Sequence, residues 1–219
     1  MPTFPGFDTS GYPGDAAMQT WKASSPYIFV AYYIQSPCHH NAGWMGKRAT
    51  LTALGWNLLP VYVGQLVVGS SGCTNNVLTA AQGQIDGQDA ATKLTGDGFA
   101  AGSFVYLDIE RCDVLPDGMK DYAGAWVQNV VNAGFAAGVY CHKHNAPDLQ
   151  AAIGNARYWI AGGVTAQFNV TTSNPSDSGI AFADLWQRPE PISRTFGGVT
   201  ILVDEDVSSF ADPGGPIPT

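Results

Sequence analysis

The sequence predicts an α/β fold, a single TIM-like barrel of eight strands. Three observations carry the expectation. Eight short apolar runs of β-type residues follow one another along the 219 residues. The first five alternate with helical segments and the last three do not. Polar or acidic side chains recur at the ends of these runs, at Asp8, Gln65, Asp108, Glu110, His142, Gln187 and Asp204. Strand–helix alternation implies a parallel sheet with right-handed crossovers, and in a closed barrel the site lies where the strands' carboxyl ends emerge. An open doubly wound sheet is the alternative, but no Gly-x-Gly-x-x-Gly turn or phosphate loop follows the first run.

The elements read in order as follows. Thr3–Asp8 is a first strand, and Asp15 caps a short helix through Trp21 after the Gly11-Tyr12-Pro13-Gly14 turn. Tyr27–Ile34 is almost continuously apolar, as a strand covered on both faces should be. Arg48–Leu54 is helical and Gly55 ends it. Leu58–Val63 is the third strand; Pro60 is awkward inside a parallel sheet and places the strand proper from about Val61. Thr79–Leu94 is a helix despite Gly83 and Gly87. Phe104–Glu110 is the fourth strand, and Asp121–Ala133 a helix with Tyr122, Trp126 and Val130 on one face. Ala136–Tyr140, a short helix over Asp148–Ile153, and strands at Tyr158–Ala161, Ala181–Gln187 and Val199–Val207 complete the count. Residues 1–211 form one barrel domain, with Phe210 sealing its closure, and 212–219 a Pro/Gly-rich tail or linker stump.

The fourth strand organises the chain. Side chains two apart share a face, so Tyr106, Asp108 and Glu110 line one side and Val105, Leu107 and Ile109 the other. Burying unpaired carboxylates costs roughly several kcal/mol, so an apolar run that aims two acids the same way points to a functional cleft. The plainer alternative is a solvated strand end with Glu110 paired to Arg111 or Lys120.

Composition narrows the classes. A formal net charge of -8 and no run of Lys or Arg make nucleic acid and anionic membranes poor partners. No apolar run approaches the length of a membrane span, so membrane insertion is not expected, and residues 1–20 lack the apolar core of a signal peptide. Few charges with many aromatic and uncharged polar residues resemble secreted carbohydrate-active proteins. The four cysteines, Cys38, Cys73, Cys112 and Cys141, form no Cys-x-x-Cys pair and suggest two disulfides in an oxidising compartment, with three pairings open. In a barrel, neighbouring strands bring Cys38 near Cys73 and Cys112 near Cys141, so those pairs are expected, each clamping two loops at the mouth. The protein is expected to be secreted or at the cell surface, and monomeric. Asn169-Val170-Thr171 is a glycosylation triplet.

Cleaving a glycosidic bond needs a proton donor at the leaving oxygen and a second carboxylate for water, nucleophile or cation. Glu110 has the longer reach and is assigned as general acid, with Asp108 beside it raising its pKa. Asp8 and Asp204 would stabilise an oxocarbenium-like state or orient an acetamido group. Tyr62, Tyr106, Tyr140, Trp159 and Trp186 are candidates for stacking on sugar rings, although core packing accounts for at least half of them. Gln65, His142, Gln187 and Asp206 complete the candidate binding set. No cofactor is expected. His142 and His144 share a face, but a metal site would need a further ligand such as His39, His40 or Asp113, and loop histidines making hydrogen bonds are the favoured reading. No Gly-x-Ser-x-Gly elbow is present.

Gly6-Phe7-Asp8, Tyr62-Val63-Gly64-Gln65, Tyr106-Leu107-Asp108-Ile109-Glu110, Gly138-Val139-Tyr140, Leu185-Trp186-Gln187 and Val203-Asp204-Glu205-Asp206 together resemble the glycoside-hydrolase-like domain family once labelled domain of unknown function 1906. That family is similar to glycoside hydrolase family 25, the lysozymes that cut peptidoglycan between N-acetylmuramic acid and N-acetylglucosamine. The resemblance spans roughly residues 3–210. It implies a flattened barrel of five βα units followed by three further strands. It also places Asp8, the Asp108–Glu110 pair and Asp204 at the family's acidic positions, with Glu110 as the acid. Asp206 stands where the lysozymes commonly carry Asn. The expected function is therefore a secreted glycoside hydrolase on a cell-wall polysaccharide, most of all peptidoglycan. A non-catalytic glycan-binding module on the same barrel and a wall-remodelling or toxin-like module are the alternatives.

Overall fold

The computed structural model describes residues 3–65, 73, 77–110, 114–154, 156–188 and 190–217. The strands are β1 (Phe4–Asp8), β2 (Phe29–Ile34), β3 (Asn57–Val63), β4 (Phe104–Ile109), β5 (Ala136–His142), β6 (Arg157–Ala161), β7 (Leu185–Gln187), β8 (Ile192–Phe196) and β9 (Val199–Ser208). Helices α1 (Asp15–Ser24), α2 (Arg48–Ala53), α3 (Ala80–Gly96), α4 (Met119–Asn132) and α5 (Ala146–Ile153) fill the first five connections. Strands β1 to β7 run parallel in sequence order. The carboxyl-terminal half of β9 inserts antiparallel between β7 and β1 and closes the barrel at eight strands. The α/β barrel of five βα units and three further strands is thus as the sequence predicts. One strand, β8, is additional: it pairs only with the first half of β9, outside the closed ring.

Two local expectations are corrected. β3 starts at Asn57 and runs through Pro60, which pairs with Tyr32 of β2. Pairing with β4 begins only at Val61, opposite Tyr106, so the imide nitrogen lies where β3 has one neighbouring strand rather than two. β7 is shorter than expected, because Ala181–Asp184 is turn structure.

Helix α3 tolerates its glycines because they face α4. A Cβ at Gly83 would stand 2.2 Å from the carbonyl oxygen of Tyr122, and one at Gly87 would stand 2.8 Å from that of Trp126. The two backbones approach closely there, while Thr79 caps the helix by accepting a hydrogen bond from the Gln82 N–H at 3.2 Å.

Alternation sorts the side chains of every strand. Val105, Leu107 and Ile109 of β4 are buried on the face opposite Tyr106 and Asp108. On β9, Glu205 turns away from Asp204 and Asp206. It receives two hydrogen bonds from Arg194 of β8, at 2.9 and 2.8 Å, and one from the Tyr27 hydroxyl at 2.7 Å. This ties the extra hairpin to the barrel. Glu205→Ala strands the buried Tyr27 hydroxyl and is expected to cost about 2 kcal/mol in urea denaturation. Glu205→Gln, which keeps an acceptor, should cost less.

The amino-terminal end of the barrel is sealed. The Arg157 guanidinium lies over the rings of Phe104 and Phe210, 3.6 and 3.8 Å from their centroids. It donates to the Pro213 carbonyl at 2.9 Å, which also accepts from the Tyr106 hydroxyl at 3.1 Å. The Gly214 carbonyl accepts from the Phe104 N–H at 2.9 Å.

Candidate active site

The carboxyl ends of the parallel strands open onto a cavity of about 250 Å³ lined by Asp8, Tyr33, Asp108, Glu110, Tyr140, Trp159, Gln187 and Asp204. The register explains the convergence. Asp8 ends β1 and is paired opposite Asp204 of β9. Gln187 ends β7 and is paired opposite Asp206. Asp108 is paired opposite Tyr140, and Tyr140 opposite Trp159, on successive strands. One interior layer of the barrel is therefore almost wholly polar.

The layer is internally bonded. Asp8 accepts from the Tyr33 hydroxyl at 2.8 Å and from Gln187 Nε2 at 2.7 Å. Gln187 Oε1 accepts from the Tyr140 hydroxyl at 2.6 Å, so a chain runs from Tyr140 through Gln187 to Asp8. Asp206, fully buried beneath, accepts from Trp159 Nε1 at 2.9 Å, while its Oδ2 receives no N–H or hydroxyl donor among the described residues. The charge of the nearby Asp8 carboxyl disfavours ionisation of Asp206. Among the described residues, Asp108 Oδ1 is likewise buried without a donor.

These surroundings hold protons on the acids. Burial, followed by the Asp204 charge, pushes Asp8 up to about 7, against the lowering effect of its hydrogen bonds. Burial pushes Asp108 well above the usual carboxylate range, aided by Glu110 and Asp8. Asp206 is raised well above that range by burial and by Asp8 and Asp204. Asp204 rises to about 6 through burial and Glu110, opposed by Arg188. Glu110 is the exposed acid of the group, one residue past the end of β4. Its suggested partner Lys120 instead pairs with Asp148 at 3.4 Å, and Arg111 lies outside the described residues.

The structure brings together Asp8, Asp108, Glu110, Asp204, Tyr140, Trp159 and Gln187, with Asp206 just below. It does not bring in five other candidates, four of which are buried elsewhere. Tyr62 points outward to the helices, donating to Asp89 at 3.0 Å and packing on Trp126. Gln65 is turned into a buried network, donating to Asp86 at 3.0 Å beside the Tyr122 hydroxyl. Tyr106 is interior but points to the sealed floor. Trp186 faces outward, donates to the Gly162 carbonyl at 2.6 Å and is covered by Phe168. The aromatic residues among these four are the core packing that competes with sugar stacking in any sequence reading. His142 lines an adjoining cavity rather than this one. Tyr33 was missed; its signal was its place near the carboxyl end of β2.

The Cys38–Cys73 disulfide is present, with Cα atoms 4.9 Å apart. Cys112, the expected partner of Cys141, lies outside the described residues, as does Asp113. Among the described residues, no helix is long and apolar enough to cross a membrane.

A closed α/β barrel with acids from its first, fourth and last strands gathered over one end has the form of the glycoside-hydrolase-like barrels. The chain belongs to the family of Rv2525c-like, glycoside hydrolase-like domains, whose model matches residues 19–208. Solved structures share the fold at low identity. An uncharacterized protein from B. stearothermophilus is 15% identical, covers 94% of this chain and 96% of its own, and superposes with a TM-score of 0.67. The Tat-secreted protein Rv2525c of Mycobacterium tuberculosis, solved in complex with L-tartrate, is 17% identical over 94% of both chains with a TM-score of 0.59. The modular autolysin LytC of Streptococcus pneumoniae is 13% identical over 94% of this chain and 46% of its own, with a TM-score of 0.65. No curated protein matches the chain at a significant level.

Proposed function

We propose that this protein is an extracytoplasmic glycoside hydrolase acting on a cell-wall polysaccharide, peptidoglycan above all. Glu110 is its general acid, and Asp8, Asp108 and Asp204 are supporting carboxylates. The observation that carries the reading is the convergence of these four acids, from three strands distant in sequence, on one cavity. Burying several carboxyls in one layer costs stability that a purely structural layer would avoid.

The roles follow from position. Glu110 stands exposed at the mouth, where a glycosidic oxygen can reach it. Asp108 lies behind it on the same face of β4, buried and inclined to keep its proton. Asp204, beside the mouth, is placed to face positive charge developing on the sugar ring. Asp8 is held by Tyr33 and Gln187, which fixes its orientation for an acetamido or hydroxyl group. Tyr140 and Trp159 supply the walls. The chemistry needs no cofactor. The extracytoplasmic reading is supported by the Cys38–Cys73 disulfide and by the secretion of the mycobacterial relative.

Glycan binding without turnover is the second reading. It is favoured by the engagement of both Asp8 oxygens with protein donors. Incubation with purified peptidoglycan, followed by turbidity and product mass spectrometry, separates the two. Muropeptides in the supernatant establish hydrolysis. Saturable binding with no product establishes the module.

A further inference from the structure

Tyr33, which walls the acid cavity and donates to Asp8 at 2.8 Å, is backed by the ring of His39. The two ring centroids lie 5.3 Å apart, with the planes inclined at 43°. Hydrogen bonding does not explain why His39 faces inward. Its bond to the Asn41 backbone is local to the loop, and its Nε2 is buried without a partner among the described residues. Burial, followed by the neighbouring His40, holds the ring's pKa below the usual histidine value. A neutral imidazole with a buried, unpaired nitrogen would be better placed in water. Something else keeps it against Tyr33.

The backbone supplies the constraint. Directly after β2 the chain folds into a tight turn. There the Ser36 N–H donates to the His39 carbonyl at 2.8 Å, and the His39 N–H to the Ser36 carbonyl at 3.1 Å. Cys38 lies inside that turn, and its disulfide fastens the turn to Cys73, in the connection from β3 to α3. Gln65 and Val77, on either side of Cys73, are tied to one buried cluster. The Gln65 N–H donates to the Tyr122 hydroxyl at 3.1 Å and its Nε2 to Asp86 at 3.0 Å, while its Oε1 accepts from the Val77 N–H at 3.3 Å. The Tyr122 hydroxyl in turn donates to Asp86 at 2.7 Å. A path of covalent and hydrogen bonds thus runs from the interface of α3 and α4 through the disulfide to His39, and across its ring to Tyr33 and Asp8.

We propose that His39 is a positioning residue for the acid cavity: held in place by the Cys38–Cys73 disulfide, its ring keeps Tyr33 in the rotamer that donates to Asp8. A tyrosine beside an open cavity is free to turn toward it, and a ring packed behind it confines it to one rotamer. The proposal rests on the hydrolase reading for what Asp8 is there to do. It also gives Gln65, which does not reach the cavity, a part in it from a distance.

The test reads Asp8 itself, by carboxyl carbon-13 NMR across its titration, with the signal assigned by its loss in Asp8→Asn. The groups that face Asp8 are Tyr33 on β2, Asp108 on β4, Tyr140 on β5, Gln187 on β7, and Asp204 and Asp206 on β9. Of these, the variants alter only Tyr33. Its hydrogen bond favours the ionised form of Asp8, so losing that bond raises the midpoint above about 7. Tyr33→Phe, His39→Ala and the paired Cys38→Ser and Cys73→Ser are each expected to raise it by about one pH unit. His39→Phe keeps a ring behind Tyr33 and should hold the wild-type midpoint. In the Tyr33→Phe background, His39→Ala should add no further shift. A merely structural His39 would lower the melting temperature on substitution and leave the midpoint in place. An unchanged midpoint in any of the first three proteins, a His39→Ala shift that persists without the Tyr33 hydroxyl, or a His39→Phe protein that titrates like His39→Ala overturns the proposal. The midpoint is read without substrate, so a failure to release product from peptidoglycan would overturn the hydrolase reading alone.

Discussion

Glu110→Gln is expected to lower the release of muropeptides by about 100- to 10,000-fold, the range over which a positioned general acid contributes. The amide keeps the size and the hydrogen-bonding capacity of the side chain but cannot deliver a proton to the leaving oxygen. Because Glu110 is exposed at the mouth, the thermal midpoint should stay within about 1 °C of the wild type. Turbidity clearance and product mass spectrometry on both proteins, with melting curves in parallel, make the measurement. Full activity in the variant would remove Glu110 from the mechanism. An inactive variant with a lowered midpoint would assign it a structural part instead.

The second large effect concerns pH. An unfolded aspartate gives up its proton near 3.8, whereas Asp8 in the folded protein keeps its own to about 7. The folded state therefore binds more protons across that interval, and stability must fall as pH rises through it. Below 3.8 this contribution is fully present; above about 7 it is lost, on the order of 4 kcal/mol for this single group. Asp108 and Asp206, also raised well above the usual carboxylate range, add losses of the same sign. The protein should melt at a clearly higher temperature at pH 4.5 than at pH 8. Asp206→Asn tests the cause. The amide still accepts from Trp159 but carries no titrating proton. The variant should match the wild type at pH 4.5. At pH 8 it should melt measurably above it. Parallel curves for the two proteins would show that Asp206 contributes nothing to the pH dependence.

Much of this site was legible because a strand is a ruler with period two. Once Asp108 and Glu110 were placed on one face, the pairing of successive strand ends left few other positions for Asp8, Gln187 and Asp204. What sequence could not supply is which way an aromatic residue faces at a given strand position. Tyr62 and Tyr106 sit on neighbouring strands, yet one is turned outward to α3 and α4 and the other inward to the floor. That depends on register with the neighbouring strand, which a run of apolar residues does not encode. Gln65 shows a different limit. It lies just past a strand end, where a binding residue belongs, but the buried Asp86 claims it. Strand β8 was overlooked although its signal was present. Gly197-Gly198, both at positive φ, forms a two-residue hairpin turn between alternating runs. Its partly exposed residues lack the apolar density that marks the other strands.

The plug that Arg157, Tyr106 and Pro213 make at the floor turns the interior into a blind well. A sugar chain cannot be threaded through it, and whatever enters must leave by the same opening. A polymer substrate of the proposed hydrolase would therefore lie across the rim and dip toward the acids, so that both halves of a cut strand would depart sideways. Sites of that shape bite into the middle of long chains as readily as at their ends. The length distribution of the first products, long fragments rather than a ladder of single units, would carry the mark of this geometry.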